Sequence, residues 1–369
     1  MTRFLFSAQG WPYLLTPFIV LAVVLEYGAH ASASLVFIAA ALGVIPTAAL
    51  MGLATEELAA KAGPGIGGLL NVTFGNAPEL IIAVLLLAEG LQEVVKASIV
   101  GSILGNLLLV LGASMFVGGL GRKKQLFDRT AAMAQSTMLF LAAAALMMPA
   151  IFALVEGGGL PSVDDELVNL GTDLEHLSVG VSLVLGITYV AGLIFSLRTH
   201  FDLFNPPYAK EEHEGFGWSV RRSVIMLAVA GAAVGLVSEI LVGSIEEASE
   251  GLGISQFFVG IIIVAIVGNA AEHWVAVLVA RKDKMDLSVN IAVGSAAQIA
   301  LFVAPVLVLL SFVLGPAPMP LVFNGFELGG VILAVLIASY VTAEGESNWF
   351  SGFQLLSVYA VLGLVFFYA

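Results

Sequence analysis

Runs of about 20 mostly apolar residues, each long enough for a helix to cross the hydrocarbon core of a bilayer, recur from one end of the chain to the other. Of the 369 residues, 59% are hydrophobic and 11% are charged, whereas soluble proteins average about 25% charged residues. A transmembrane β-barrel would instead show alternating segments of about 10 residues. The sequence therefore predicts an all-α polytopic membrane protein.

The hydropathy pattern predicts about eleven transmembrane helices. We read the first as a retained span rather than a cleaved signal peptide, because no small-residue cleavage site follows it. The predicted spans are 12–28, 32–60, 65–88, 95–118, 128–155, 176–198, 218–247, 254–280, 287–313, 321–342 and 349–368.

The basic residues predict the orientation, because cytoplasmic loops carry an excess of Lys and Arg. With the N-terminus inside and the C-terminus outside, Lys96 alone of the 14 Lys and Arg falls outside the cytoplasmic segments. The outer loops instead hold acidic residues. The predicted cytoplasmic basic residues are Arg3, Lys61, Arg122, Lys123, Lys124, Arg129, Arg198, Lys210, Arg221, Arg222, Arg281, Lys282 and Lys284.

Two apolar runs contain copies of the same short stretch. Gly75–Glu79 reads GNAPE and Gly268–Glu272 reads GNAAE, 193 positions later. The same displacement carries Val100-Gly101-Ser102 onto Val293-Gly294-Ser295. A carboxylate inside a membrane span is costly and usually functional, so a matched pair of such carboxylates marks a functional site.

The copies fall in spans three and eight, which cross the membrane in opposite directions. This spacing predicts one extra N-terminal helix plus two inverted-topology five-helix repeats, an arrangement typical of secondary transporters. The predicted division is a first helix at 1–30, repeats at 31–200 and 217–369, and a cytoplasmic acidic linker at 201–216. The linker is either a simple solvated connection or a cation-attracting regulatory element.

The first copy contains a predicted helix break. Pro78 lacks an N–H and clashes with the carbonyl four residues earlier, and Gly75 loosens the backbone beside it. A break there would gather carbonyl oxygens, the Asn76 amide and the Glu79 carboxylate, which suit a hard cation such as Ca²⁺. The second copy offers Gly268, Asn269 and Glu272, but Ala271 replaces the proline, so any break there depends on Gly268 and packing.

Further polar residues follow both copies. We predict Ser102, Ser295 and Gln298 as additional cation ligands, although interhelical hydrogen bonding explains serine and amide side chains equally well. Four residues are assigned to the ion path or to proton coupling, with a wet vestibule or a structural role as the alternative: Glu56, Glu239, Asn106 and His273.

The two central glutamates have no basic partner inside the membrane, so each must be protonated, hydrogen-bonded or cation-bound. Cation binding then expels protons, and protons expel the cation. Together with alternating access, this predicts cation/proton antiport. A channel would use a filter repeated around an axis, and an enzyme would need a nucleophile–base set, so neither class fits. We expect no enzymatic activity, resident cofactor or nucleic-acid partner; a homo-oligomeric state stays open.

These motifs resemble the Ca²⁺/H⁺ exchanger branch of the calcium/cation antiporter superfamily. The similar stretches are Gly75–Leu80, Val100–Asn106, Gly268–His273, Lys284–Leu287 and Gly294–Val303. The resemblance implies a central Ca²⁺ site built by Glu79 and Glu272 with Asn76 and Asn269. It also implies that spans two and seven slide or tilt, with Glu56 and Glu239 on the ion path.

The resemblance further implies export of Ca²⁺ from the cytoplasm, and the absence of a long N-terminal extension favours a prokaryotic cytoplasmic membrane. The alternative is a Na⁺-coupled or Mn²⁺-preferring exchanger of the same fold. Asn76, Asn269 and His273 favour protons over Na⁺, since the Na⁺/Ca²⁺ exchangers typically carry a different repeat.

Overall fold

The computed structural model describes residues 10–62, 64–157, 159–163, 171–200 and 217–369, with the side chains of 64, 65, 68 and 72 left out. The described chain is almost wholly helical. The two-residue strands β1 (Gln125–Leu126) and β2 (Glu346–Ser347), which pair antiparallel, are the exception to the predicted all-α class within these ranges. The predicted linker at 201–216 lies outside the described residues.

Eleven helical spans follow one another in the described part of the chain, and each matches one predicted span. They are α1 (Trp11–Gly28), α2 (Ala33–Ala62), α3a (Pro64–Gly75) with α3b (Ala77–Ala88), α4 (Gln92–Gly119), α5 (Arg129–Val155), α6 (Thr172–Thr199), α7 (Val220–Gly243), α8 (Gln256–Arg281), α9 (Met285–Leu310), α10 (Gly325–Thr342) and α11 (Trp349–Tyr368).

The third span is the bent one. Its two parts, Leu69–Gly75 and Ala77–Ala88, meet at an angle of 42°. The break falls at Asn76, and Pro78 occupies the first turn of the following helix, where a missing N–H costs nothing. The predicted helix break is therefore present.

Contacts between loops show which helix ends share a side of the bundle. On one side, β1 follows α4 and pairs with β2, which precedes α11. The Gln125 side chain also donates to the carbonyl of Ala280 near the end of α8, at 2.9 Å. We call this the basic side, because Lys61, Arg122 and Arg281 lie at helix ends there.

The opposite, acidic side is closed by the loop between α9 and α10. Gln92 and Lys96, at the start of α4, donate to the carbonyls of Ala317 (2.6 Å) and Val322 (2.9 Å). The backbone N–H of Leu321 donates to Ser178 on α6, at 3.0 Å. The helix ends thus alternate between the two sides, as inverted repeats require.

Some acidic residues predicted for loops are helical. Glu93 lies in the first turn of α4 and is buried. Glu246, Glu247 and Glu250 lie in a short helix, Ile245–Leu252, that follows α7. Helix α4 begins three residues before the predicted span 95–118, and the hydropathy pattern does not predict the short helix because Glu246 and Glu247 lie in its first turn.

Helix α4 forms the centre of the bundle and is buried along almost its whole length. Glycine permits this. A Cβ at Gly101 would overlap the carbonyl of Ile261 on α8, and a Cβ at Gly112 would lie 3.1 Å from the carbonyl of Gly352 on α11. Close backbone approach through small residues is the usual way in which helices pack inside a membrane. Exposed apolar side chains on α1, α5, α6, α7 and α11 supply the outer surface.

Candidate cation site

Glu79 sits in the first turn of α3b, immediately after the break at Asn76. Its side chain is 5% exposed. The break creates a helix N-terminus in the middle of the span, and the positive end of the helix dipole stabilises a carboxylate there. Pro78 therefore does more than bend the chain, since it places this carboxylate at the start of a helix.

The second copy is not broken. Gly268 to Glu272 lie within the continuous helix α8, with Ala271 at the position that corresponds to the proline. Glu272 consequently lies in mid-helix, whereas Glu79 lies in the first turn of its helix. The two glutamates are equivalent in sequence and different in local backbone.

Each asparagine bonds to polar residues of the opposite repeat. Asn269 Nδ2 donates to Ser102 Oγ at 3.1 Å. Asn76 Nδ2 donates to Gln298 Oε1 at 2.6 Å, and Asn76 Oδ1 accepts from Ser295 Oγ at 3.4 Å. The asparagine of one repeat is thereby tied to the serine of the other, in both directions.

The two glycines of the repeated stretches also lie against residues of the opposite repeat. A Cβ on Gly75 would lie 3.1 Å from Glu272 Oε1, and a Cβ on Gly268 would lie 3.7 Å from Cα and Cβ of Glu79. Gly75 thus leaves room for the Glu272 carboxylate, and Gly268 packs against Glu79 at ordinary van der Waals distance. The Gly-Asn pair in both stretches acts across the repeat interface rather than only within its own helix.

The two carboxylates differ in their hydrogen bonds. Glu272 Oε2 lies 3.3 Å from Ser295 Oγ and shares the single proton of that hydroxyl with Asn76 Oδ1. Both carboxylate oxygens of Glu79 are buried, and no described residue donates a hydrogen bond to them within bonding distance, although Ser102 and Asn269 lie beside that carboxylate. The two glutamates are close enough to interact electrostatically. Two carboxylates with amide and hydroxyl oxygens around them form a ligand set suited to a hard cation.

Asn106 joins the site through a π-helical turn. The turn Gly105–Val110 follows Ser102 in α4, and a second turn, Ile299–Val303, follows Gln298 in α9. Asn106 Nδ2 donates to Ser295 Oγ at 3.2 Å. Single π-helical turns often occur at functional sites, and these two occupy corresponding places in the repeats.

The acidic residues predicted for the ion path lie toward opposite sides. Glu56 is near the basic end of α2 and Glu239 near the acidic end of α7, and both side chains are exposed. Glu56 is close enough to Glu272 to interact with it electrostatically. Its neighbour Glu57, which the sequence analysis does not single out, is buried and accepts the backbone N–H of Trp218 at 2.8 Å.

His273 faces α4. A Cβ on Gly105 would lie 3.8 Å from its ring carbon Cε1. Its Nε2 is buried, and no described residue hydrogen-bonds to it. His273 follows Glu272 directly in α8, and consecutive residues of a helix point in different directions, so its assignment to proton coupling stays a prediction.

A cavity of about 330 Å³ on the basic side was not anticipated from the sequence. It reaches Glu272, Ser295 and Gln298. Gln135 and Asn290 line it between the site and the basic side. One signal was present in the sequence, since Asn290, Gly294 and Gln298 follow one another at intervals of four and so share a helix face.

The chain is similar over most of its length to a known protein family and to individual known proteins. A family model described as sodium/calcium exchanger protein matches residues 32–198 and 222–368. The Ca(2+)/H(+) antiporter of Synechocystis is 44% identical over 353 residues, covering 90% of this chain and 91% of that protein. The Ca(2+)/H(+) antiporter ChaA of Bacillus subtilis is 45% identical over 340 residues, covering 92% and 93%.

Among solved structures, native YfkE superposes with a TM-score of 0.81 at 39% identity. It covers 97% of this chain and 100% of its own. The similarity therefore extends over all eleven spans rather than over the motifs alone.

Proposed function

Because this chain belongs to the sodium/calcium exchanger protein family, we propose that it is a secondary active transporter that exchanges Ca²⁺ for H⁺ by alternating access. Two bacterial relatives at 44% and 45% identity carry the name Ca(2+)/H(+) antiporter. The proposed division is a first helix at 1–30, repeats at 31–200 and 217–369, and a linker at 201–216. The two separate segments matched by the family model support it.

The observation that carries the proposal is the pair Glu79 and Glu272, each set among amide and hydroxyl groups of the opposite repeat. Among the described residues, no ion pair joins either glutamate to a basic side chain. A carboxylate in the membrane interior without such a partner needs a proton or a cation. The same groups thus serve both substrates in turn.

This shared use couples the two ions. Ca²⁺ requires ionised carboxylates, so its binding releases protons, and protonation releases Ca²⁺. The proposed ligands are Glu79 and Glu272 with the side chains of Asn76 and Asn269. The remaining proposed ligands are Gly75 and Gly268 through the backbone, and Ser102, Ser295 and Gln298 through their side chains.

We propose that the basic side faces the cytoplasm of a prokaryotic cell, following the excess of Lys and Arg there. The cavity that reaches Glu272 from this side supplies the inward pathway. Glu56 lies toward the same side and Glu239 toward the opposite side, which fits one acidic residue for each pathway. Movement of α2 and α7 would then expose the site to each side alternately.

Flux into proteoliposomes of the purified protein tests the exchange. We expect an imposed pH gradient alone to drive Ca²⁺ uptake, and a protonophore that collapses the gradient to stop it. Empty liposomes carrying the same gradient are the control. Uptake with a Na⁺ gradient only would make the protein a Na⁺-coupled exchanger, and transport of Mn²⁺ without Ca²⁺ would make it a manganese exchanger.

Ser102→Ala is expected to slow Ca²⁺ transport about fivefold. Ser102 is fully buried and accepts the hydrogen bond from Asn269 at 3.1 Å, and loss of one such bond costs about 1 kcal/mol. The initial rate of uptake at fixed Ca²⁺ measures the effect. The matched control is Ser98→Ala, one turn earlier on α4, whose hydroxyl bonds to the carbonyl of Val95 in its own helix at 2.8 Å. A loss of transport as large as that caused by Glu79→Gln or Glu272→Gln would make Ser102 a primary ligand.

A further inference from the structure

The cavity on the basic side has a wall made mostly of neutral groups. It lies between α3a, α5, α6, α8 and α9, and its described lining contains one charged residue, Glu272. Glu272 lies at the deep end, beside Ser295 and Gln298. The negative charge of that carboxylate attracts a cation into the cavity. The ion must pass the neutral groups of the wall before it reaches Glu272.

Two amide side chains meet in this wall. Gln135 on α5 donates through Nε2 to Asn290 Oδ1 on α9. Gln135 is 8% exposed although it lies inside a predominantly apolar helix. Because α5 belongs to the first repeat and α9 to the second, this hydrogen bond crosses the repeat interface, as the bonds within the central site do.

The amide pair is linked to the central cation site along one face of α9. Asn290, Gly294 and Gln298 share one face of α9 at successive turns. Gly294 lies directly against the amide pair, since a Cβ there would contact Gln135 Nε2 at 3.4 Å and Asn290 Oδ1 at 3.6 Å. Gln298 in turn accepts the hydrogen bond from Asn76. Amide groups therefore continue from the cavity wall into the cation site.

We propose that Gln135 and Asn290 form an outer cation-contact station on the basic side, at which Ca²⁺ exchanges part of its hydration shell for amide oxygens before it reaches Glu272. Side-chain amide carbonyls are ordinary Ca²⁺ ligands. A station without net charge holds the ion weakly, and a conducting pathway needs its intermediate sites to release the ion as readily as they take it. The inference rests on the proposed Ca²⁺ transport, and it assigns a role to two residues outside the repeated motifs.

The test compares Gln135→Leu with Met138→Leu. Met138 lies three residues further on α5 and lines the same cavity without a strong hydrogen-bonding group. Ca²⁺ uptake is measured in vesicles with the basic side facing the bath, over a range of Ca²⁺ concentrations. For Gln135→Leu we expect the KM for Ca²⁺ to rise about three- to tenfold, as expected for one or two lost polar contacts, with the maximal rate retained. Met138→Leu should leave both quantities within about twofold of the unmodified protein.

A second variant covers the case in which Gln135→Leu fails to fold. Asn290→Asp keeps the size of the side chain and adds a negative charge, so we expect it to lower the KM for Ca²⁺.

Equilibrium Ca²⁺ binding by purified Gln135→Leu should match that of the unmodified protein, because the central ligands are intact.

The results separate this inference from the proposed function. If the unmodified protein transports Ca²⁺ and both variants keep its KM, the station does not exist. A fall in the maximal rate of Gln135→Leu at unchanged KM would also overturn the inference, since it would show that the amide only positions the central site. If the unmodified protein itself transports no Ca²⁺, the proposed function fails first.

Discussion

Glu79→Gln and Glu272→Gln are each expected to reduce proton-driven Ca²⁺ transport by at least about 100-fold, while the protein still folds and inserts into the membrane. Each substitution removes a negative charge that, among the described residues, forms no ion pair with a basic side chain and is therefore available to a bound cation. It also removes the group that exchanges a proton for the cation. A loss of about 3 kcal/mol in cation binding is enough for this factor.

Folding should survive because glutamine has nearly the same size and shape as protonated glutamate. A buried carboxylate costs free energy when it is ionised. The amide removes that cost, so the melting temperature of either variant in detergent should equal or exceed that of the unmodified protein. Lost transport with preserved thermal stability is the combination that identifies a ligand.

Glu89→Gln provides the matched control. Glu89 caps the other end of α3b, ten residues beyond Glu79 on the same helix, and its side chain is exposed. The same chemical change there should leave the transport rate within about twofold, since exposed surface substitutions usually cost little. Near-normal transport by either Glu79→Gln or Glu272→Gln would refute the central site.

The spans and the helix break were predictable because their causes are local. Apolar runs define the eleven helices, and Pro78 with Gly75 defines the bend at Asn76. The displacement of 193 positions between the two glutamates indicated a repeat, and the opposite directions of spans three and eight made it an inverted one. Each of these inferences uses residues that are neighbours in sequence or copies of one another.

The exchange of partners between repeats was not predictable in the same way. Asn269 bonds to Ser102 across 167 positions, and Asn76 bonds to Gln298 across 222 positions. Which polar side chains meet depends on how α3b, α4, α8 and α9 pack, and the duplicated motifs fix only which residues are equivalent. The assignment of these residues as ligands stays a prediction that the transport experiments test.

Lys96 is a second residue whose partners were not predictable. The sequence places it near the start of the predicted span 95–118, outside the cytoplasmic segments, and gives it no partner. In the structure Lys96 is 1% exposed and lies in the first turns of α4. It forms an ion pair with Glu93 and donates to the carbonyl of Val322 at 2.9 Å.

A second carboxylate shares this lysine. Glu327 on α10 is fully buried and close enough to Lys96 and Glu93 to interact electrostatically with both. The Glu327 carboxylate also accepts the backbone N–H of Asn324 at 2.8 Å, while Asn324 caps α10. One ammonium group therefore stabilises two buried carboxylates and the loop that closes the acidic side.

We expect Lys96→Met to destabilise the protein by about 3–5 kcal/mol, seen as a fall of about 5–10 °C in the melting temperature in detergent. The reason is that both carboxylates stay buried after their cation is removed. Lys124→Met is the control, because Lys124 pairs with Glu346 at 2.8 Å with both side chains half exposed, and such surface pairs contribute at most about 1 kcal/mol.

The double variant Lys96→Met/Glu93→Gln separates charge from packing. If the uncompensated carboxylates cause the loss, neutralising one of them should restore part of the stability, so the double variant should melt above Lys96→Met alone. Equal melting temperatures would instead assign the loss to the packing of the lysine chain. The cluster lies at the acidic ends of α4 and α10, away from Glu79 and Glu272. The fraction of Lys96→Met that stays folded should therefore transport Ca²⁺ with an unchanged KM.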